Sequence, residues 1–558
     1  MIRPLVLSLL LVSNPLTAHA DPPRDLASLE SEARALVLVQ SVLSWYTRTV
    51  GEPSIAAETY RGHESLLSPE SLATVRAAAK AEKDPSKQRA LEFFASYLAT
   101  EILGQKLAHF DDEVQNAELH ASANLPWEKA PVPYKQLAVL AGTEADATRR
   151  VAIETASAAV WKQQLNPILE RKEAEAQRLA KSLGYPSYVR LAEEARRVDL
   201  RALIVESARF FDATDATYRT LLVRVAKEQL GVDAKTLKRS DVARLRKAPH
   251  LEKFFPRELM VPSFKHFLAG IGMDLSTVAH TEIRIDDLPH PEKEPRAACY
   301  SIVVPSDVRI TVKPTGGVDD FVTFFHEGGH ALHYANSTTT IWEYQQLGPY
   351  ALTEGLAETF GHAWDDPAWL RRYRDFVIAW NREHHTSVPV MGEADMAELV
   401  RLRVFEELYF LRRYGGAKLI YEAALHGGDA RLWAPELKEW KGPAGDLQVL
   451  YRFLFARAYG FPLSAEDALR FRTDVDDTLY AADYTRAFGL AQIVHEYLRS
   501  KYGDDWYGNK SSGALFRELA RDANALQPDE VAQKLGSKSW DLRPTEARLG
   551  RLLAGAKP

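Results

Sequence analysis

Two histidines flanking a glutamate in one short run, His326-Glu327-Gly328-Gly329-His330, are the residues of this chain best suited to chemistry. They lie in Phe321–His333, whose apolar spacing predicts a helix. Histidines four positions apart share a helix face, separated by about 6 Å of rise, so both imidazoles can reach one metal ion. Neutral imidazole suits zinc, and a catalytic zinc keeps three protein ligands and one position open to water. The third ligand is expected from Glu354, on a second apolar-periodic helix over 351–360. Glu358, one turn further on the same face, is placed to accept the far N–H of a ligand histidine. Glu327 would then act as general base, taking a proton from a zinc-activated water as it attacks a peptide carbonyl.

The glycines at 328 and 329 each cost about 1 kcal/mol in a helix interior, so their presence implies that another backbone or a substrate comes close. His333, near the same face, reads as a packed or hydrogen-bonded histidine rather than a ligand.

Ahead of this helix the period changes to that of strands. Thr281–Ile285 alternates, Cys299–Val304 is β-branched and apolar, and Asp307–Val312 alternates again after the Pro305-Ser306 turn. A small antiparallel sheet containing a hairpin is expected beside the zinc helix, its edge strand a platform for pairing with an extended peptide. Cys299 reads as a buried structural thiol of that sheet, and as the only cysteine it excludes an intramolecular disulfide.

The segments Arg296-Ala-Ala-Cys-Tyr-Ser-Ile-Val-Val-Pro305 and Asp307-Val-Arg-Ile-Thr-Val-Lys-Pro314, followed by the His326 and Glu354 helices, resemble the core of a zinc oligopeptidase (gluzincin) family. That family is the one of thimet oligopeptidase and oligoendopeptidase F, related to the angiotensin-converting enzyme group. The resemblance is strong over residues 290–360 and weaker to the C-terminus; earlier residues share only helical character. It implies that His326, His330 and Glu354 bind one Zn2+ per chain and that Glu327 is the catalytic base. It also implies two helical halves around a deep channel that admits short flexible peptides and excludes folded proteins.

Family members carry a histidine and tyrosines on a late helix that bind the substrate carbonyl and the oxyanion, an effect worth roughly 3–4 kcal/mol per donor. The corresponding stretch here is Thr478–Phe488, in which Tyr480 and Tyr484 match two of those tyrosines in spacing. Ala487 stands where the last tyrosine would fall, and no histidine lies within the dozen residues before it. Either Tyr484 or Tyr480 supplies the phenol, or another group binds the oxyanion, Arg486 and the more distant His495 being lesser candidates, or the site binds zinc and hydrolyses slowly. Asp477 and Asp483 read as helix-surface charges.

The rest of the chain must position these groups. Its 558 residues, 46% hydrophobic and 26% charged, describe a globular protein large enough for more than one core. A net charge of −6 gives no reason to expect nucleic acid or an anionic membrane as partner. Met1–Ala20 reads as a signal peptide: Arg3 is its positive region, Leu5–Val12 its apolar core and Ala18-His-Ala20 its cleavage site. The mature chain is expected to be exported, periplasmic or secreted, without a membrane span and monomeric.

Residues 21–270 form an N-terminal helical region, with helices over Leu26–Trp45, Lys87–Phe110, Thr148–Leu183, Asp199–Leu230 and Pro262–Ile271; residues 271–558 form the zinc-peptidase region. The charges of Arg171–Ala180 read as a solvated face, and the helix over Glu393–His426 carries Glu406-Glu407 and Arg412-Arg413 on a polar face. The fold expected is mainly α. The function expected is zinc-dependent hydrolysis of short unstructured peptides, in endopeptidase or dipeptidyl-carboxypeptidase mode. The alternatives are a catalytically weakened zinc-containing peptide-binding protein and a non-peptidase zinc hydrolase.

Overall fold

The computed structural model describes residues 25–427 and 446–556, so the signal-peptide reading of Met1–Ala20 lies outside the described residues. Among the described residues helix accounts for 70% and strand for 4%, which makes the fold mainly α. No helix among the described residues is long and apolar enough to cross a membrane.

Several of the longer helices begin at side-chain caps. Asp84 accepts the N–H groups of Ser86 and Lys87 at 2.9 and 3.1 Å and opens Pro85–His120 with proline in its first turn. Asp199 does the same for Ala202 at the head of Leu200–Val225. Three expected helices contain a widened turn: at Trp161–Leu165 and Tyr414–Lys418 the helix continues beyond it, and at Ala226–Leu230 it closes the helix before Gly231.

The largest apolar cluster draws on both sides of residue 270, from Leu36 and Phe94 to Phe325, Trp364 and Leu549. Beneath the histidine helix, Val318–Ala335, it is aromatic: the Phe325 ring centroid sits 4.9 Å from both Phe264 and Trp364. Packing that face fixes the rotation of the helix, and with it the direction in which His326 and His330 point.

The sheet beside this helix is mixed rather than antiparallel. Ala298–Val303 and Asp307–Thr311 form the expected hairpin, with Cys299 opposite Ile310, but Arg284–Asp286 pairs parallel to Asp307–Thr311. The cause is the connection over 287–297. It contains Pro289, Pro291 and Pro295 and is held by the Lys293 ammonium on Asp286 O and Leu288 O at 2.8 and 3.1 Å. It carries the chain past the middle position, so the third strand fills the gap running the same way as the first.

Several charges expected at the surface are interior. Glu406, Glu407 and Arg412 are at most 2% exposed, and Asp483 is fully buried. Arg246 and Glu406 pair at 2.9 Å, Arg412 and Asp215 at 2.9 Å, and Asp483 holds Arg196 at 3.0 Å as well as Arg486. The helices carrying them are covered on every side, so charges that would otherwise face water satisfy one another across helix interfaces.

His333 is 1% exposed, with Nε2 3.3 Å from Asn524 Oδ1. Burial pushes its pKa down to about 3, and burial does the same to His362. A base whose pKa falls on folding is neutral in the native state but protonated in the unfolded chain below about pH 6.5, so the stability it gives is intact above that pH and lost as pH falls toward 3. Replacing His333 by Gln should remove on the order of 3 kcal/mol of this acid-dependent loss, leaving the parts due to His362 and to His495, which burial also holds well below its ordinary value, as read from denaturant melts between pH 7 and 3.

Candidate metal centre

The histidine helix and the helix Ala351–Gly361 cross at unusually close range, and glycine makes that possible. A Cβ on Gly329 would stand 2.6 Å from Ala357 Cα, and one on Gly328 would stand 2.2 Å from the Phe264 ring. Both glycines therefore serve a close approach, Gly329 to a backbone and Gly328 to an aromatic ring. Gly329→Ala should force the helices apart, costing about 1–3 kcal/mol in thermal stability and weakening zinc binding in a metal titration.

At the crossing, His326 Nε2 and His330 Nε2 lie 3.2 Å apart, and Glu354 Oε2 is 3.4 Å from each. Three donors on a tetrahedral zinc with bonds of about 2.0–2.2 Å are separated by roughly 3.3–3.5 Å. Glu354 Oε2 is buried and accepts no hydrogen bond, an orphaned acceptor that a cation at the centre of the three atoms would satisfy. The electrostatics agree. Burial opposes a charge on His326, but the carboxylates of Glu358 and Glu354 outweigh it and hold that imidazole's pKa well above the ordinary range. Glu354, also resisted by burial, is held well below the ordinary carboxylate range by His330 and His326. The pocket thus demands positive charge, and a divalent ion meets the demand.

The supporting groups are layered outward. Glu358 Oε1 lies 3.3 Å from His326 Nδ1, as its spacing suggested, and His330 Nδ1 lies 2.8 Å from the Thr353 hydroxyl. Glu354 Oε1 accepts a 2.7 Å hydrogen bond from the Tyr480 hydroxyl. Glu358 Oε2 is 3.4 Å from His362 Nε2, and the Gln492 amide donates to His362 Nδ1 and to Glu407 Oε1 at 2.8 and 2.7 Å. Thr353 and His362 escaped sequence reasoning although each had a signal: one precedes Glu354 directly and the other follows Glu358 by one helical turn. His362, Asp365 and Glu407 also gather closely enough to suggest a second ion, but Arg403 bridges to Asp365 at 2.9 Å and Arg548 lies 3.7 Å from Asp365 and 3.9 Å from Glu407. Those guanidinium groups supply the positive charge there.

Glu327 faces a cavity of about 450 Å³ that is also lined by His326, Arg296 and Tyr484. No hydrogen bond or ion pair engages the Glu327 carboxylate among the described residues. The two tyrosines separate in role. Tyr480 is committed to Glu354 and has the Arg196 guanidinium over its ring at 4.5 Å, whereas the Tyr484 hydroxyl has no partner among the described residues and its ring stacks on Tyr414 at 5.1 Å. The lesser candidates are occupied elsewhere: Arg486 donates to Asp483 and to Arg196 O, and His495 Nε2 lies 3.0 Å from Thr359 O. Ala487 is buried and offers no polar atom.

A scan of the chain against models of known protein families gave no match, and a search of curated proteins likewise gave none.

Proposed function

We propose that this chain is a zinc-dependent metallopeptidase acting on short unstructured peptides, with Glu327 as general base. The observation that carries the reading is the set of three donor atoms at tetrahedral spacing, one of them an orphaned Glu354 oxygen, with the free carboxylate of Glu327 next to His326 in the chain. Zinc held by His326, His330 and Glu354 would supply a Lewis acid that acidifies a water and polarises the scissile carbonyl. Glu327 accepts the proton of the attacking water and returns it to the leaving amine. Glu358 and Thr353 fix the ring orientation of the two histidines, and Tyr480 fixes Glu354. Tyr484 is the phenol free to donate to the oxyanion as it develops.

An extended polypeptide as substrate is supported by the strand Ala298–Val303, which lies at one edge of the sheet and packs on the histidine helix. Its edge is engaged by Gln346, whose amide donates to Ser301 O at 3.0 Å, and otherwise has main-chain groups to offer a peptide.

The division of labour between the tyrosines predicts distinct defects. Tyr484→Phe should lower kcat by about 10²–10³-fold with zinc affinity unchanged. Tyr480→Phe should instead weaken zinc by about 10–100-fold and recover activity when zinc is raised. Steady-state kinetics across a zinc titration separates the two.

The weakened, peptide-binding reading is favoured by one observation, the apolar Ala487 at a position where the resembled family has a phenol. Elemental analysis of the purified protein, together with mass spectrometry of an incubated mixture of unstructured peptides, decides between the two. One zinc per chain with chelator-sensitive cleavage supports the peptidase. Zinc with peptide affinity but no cleavage supports the binding protein.

A further inference from the structure

A second cavity, of about 420 Å³, lies between the N-terminal helices and the residues that lead into the Glu354 helix. Its walls include Glu101 and Tyr97 from Pro85–His120, Lys172 and Arg196 from the next helices, and Tyr350 from the residues before Ala351. We propose that this cavity is a substrate subsite for a cationic group, the α-ammonium or a Lys or Arg side chain of a peptide, with Glu101 as the residue that sets the preference. The proposal rests on the peptidase reading and adds the charge of the substrate to it.

The argument is one of charge accounting in a half-enclosed space. Lys172 is held by Asp111 at 2.6 Å and Asp477 at 3.1 Å. Arg196 is held by Asp483 at 3.0 Å and donates to Thr478 O at 2.9 Å. Both cations on the wall are therefore matched by carboxylates. Glu101 is not matched: the side chains that hydrogen-bond to it, the Tyr60 hydroxyl at 2.8 Å and Gln40, are neutral, and no ion pair engages it among the described residues. Tyr97, beside it on the same wall, has a buried hydroxyl with no hydrogen-bond partner. Glu101 is half-buried with no partner cation, and the desolvation it suffers raises its pKa, so a ligand cation would stabilise its ionised form.

Tyr350 connects the cavity wall to the residues around the metal centre. The Tyr350 ring is 6.2 Å from that of Tyr480, which donates to Glu354, and the Tyr350 carbonyl accepts the Glu354 N–H at 2.9 Å. Its volume falls in the range of ligand pockets, about 300–1,000 Å³, and accommodates a side chain or a chain terminus.

The test uses the zinc-loaded Glu327→Gln protein, so that binding is read without turnover, and three peptides of one length. One is acetylated and neutral, one has a free amino terminus, and one is acetylated with a single lysine scanned along it. Calorimetry should show at least one cationic peptide bound about tenfold or more tightly than the neutral one, and the better of the two identifies the source of the charge. Adding Glu101→Gln, which preserves an acceptor for Tyr60, should erase that preference while leaving zinc content and affinity for the neutral peptide unchanged. A preference that survives Glu101→Gln, or equal binding of all three peptides before it is introduced, overturns the subsite and leaves the peptidase reading standing. If no peptide binds and the wild type cuts none, both readings fall.

Discussion

Glu327→Gln is expected to lower peptide hydrolysis by about 10³-fold or more while zinc content stays at one per chain. General-base catalysis contributes typically about 10²–10⁴-fold, and this residue is asked both to take a proton from water and to return it to the amine. The substitution is nearly isosteric. Because nothing among the described residues engages the Glu327 carboxylate, replacing it breaks no contact of the fold, and its cavity-facing side chain leaves the His326–His330–Glu354 set untouched. The expected pattern is a fall in kcat with metal stoichiometry, melting temperature and peptide affinity unchanged. Near-wild-type turnover in this variant would remove Glu327 from the mechanism.

The clustering of His326, His330 and Glu354 was legible in the sequence because it depends on local geometry. His326 and His330 share a face by helical periodicity alone, Glu354 and Glu358 do so one helix later, and both pairs meet as that spacing requires. The glycines signalled a close approach because a helix without one has no use for them, and Gly329 indeed faces the backbone of Ala357. What stayed illegible depends on partners remote in the chain. Tyr480 and Tyr484 are equivalent by spacing, and only the packing of their helix sends one hydroxyl to Glu354 and leaves the other free.

The same limit explains the misplaced charges. Glu406, Glu407 and Asp483 occupy positions that alternate with apolar ones just as solvated charges do, and periodicity does not report that a second layer of helices covers that side. The Lys172 and Glu173 pair, read as a solvated face, likewise reaches inward, Lys172 to Asp111 and Glu173 to His426. Strand order is a third case. Alternation identified the hairpin, but the parallel pairing of Arg284–Asp286 was set by a proline-containing connection whose path has no periodic signature.

Removing the metal should have the second large effect, and its pH dependence tests the electrostatics of the centre. In the metal-free protein the His326 imidazole is held protonated above its ordinary range, because Glu358 and Glu354 outweigh its burial. Zinc requires the neutral ring, so loading must expel that proton. Zinc affinity should therefore keep rising with pH beyond about 7, where an ordinary histidine of pKa about 6.5 would already have ceased to compete. The sign for stability is the reverse. A group whose pKa is raised on folding stabilises fully below its unfolded value of about 6.5 and loses that contribution as pH rises through the folded value, so the chelated protein should weaken across this range while the zinc-loaded protein does not. The gap in melting temperature between the two forms should widen from pH 6.5 to 8, and calorimetry in buffers of different ionisation enthalpy should count about one proton released per zinc bound at pH 7. Glu354→Gln removes both a ligand and one of the two carboxylates that hold the His326 proton. It should raise the zinc dissociation constant by at least about 10²-fold, a ligand's share of the roughly 10–16 kcal/mol typical of structural zinc sites, and shift the onset of proton competition toward lower pH. Zinc affinity flat between pH 6.5 and 8 in the wild type would show that Glu358 and Glu354 do not act on His326 as their positions require.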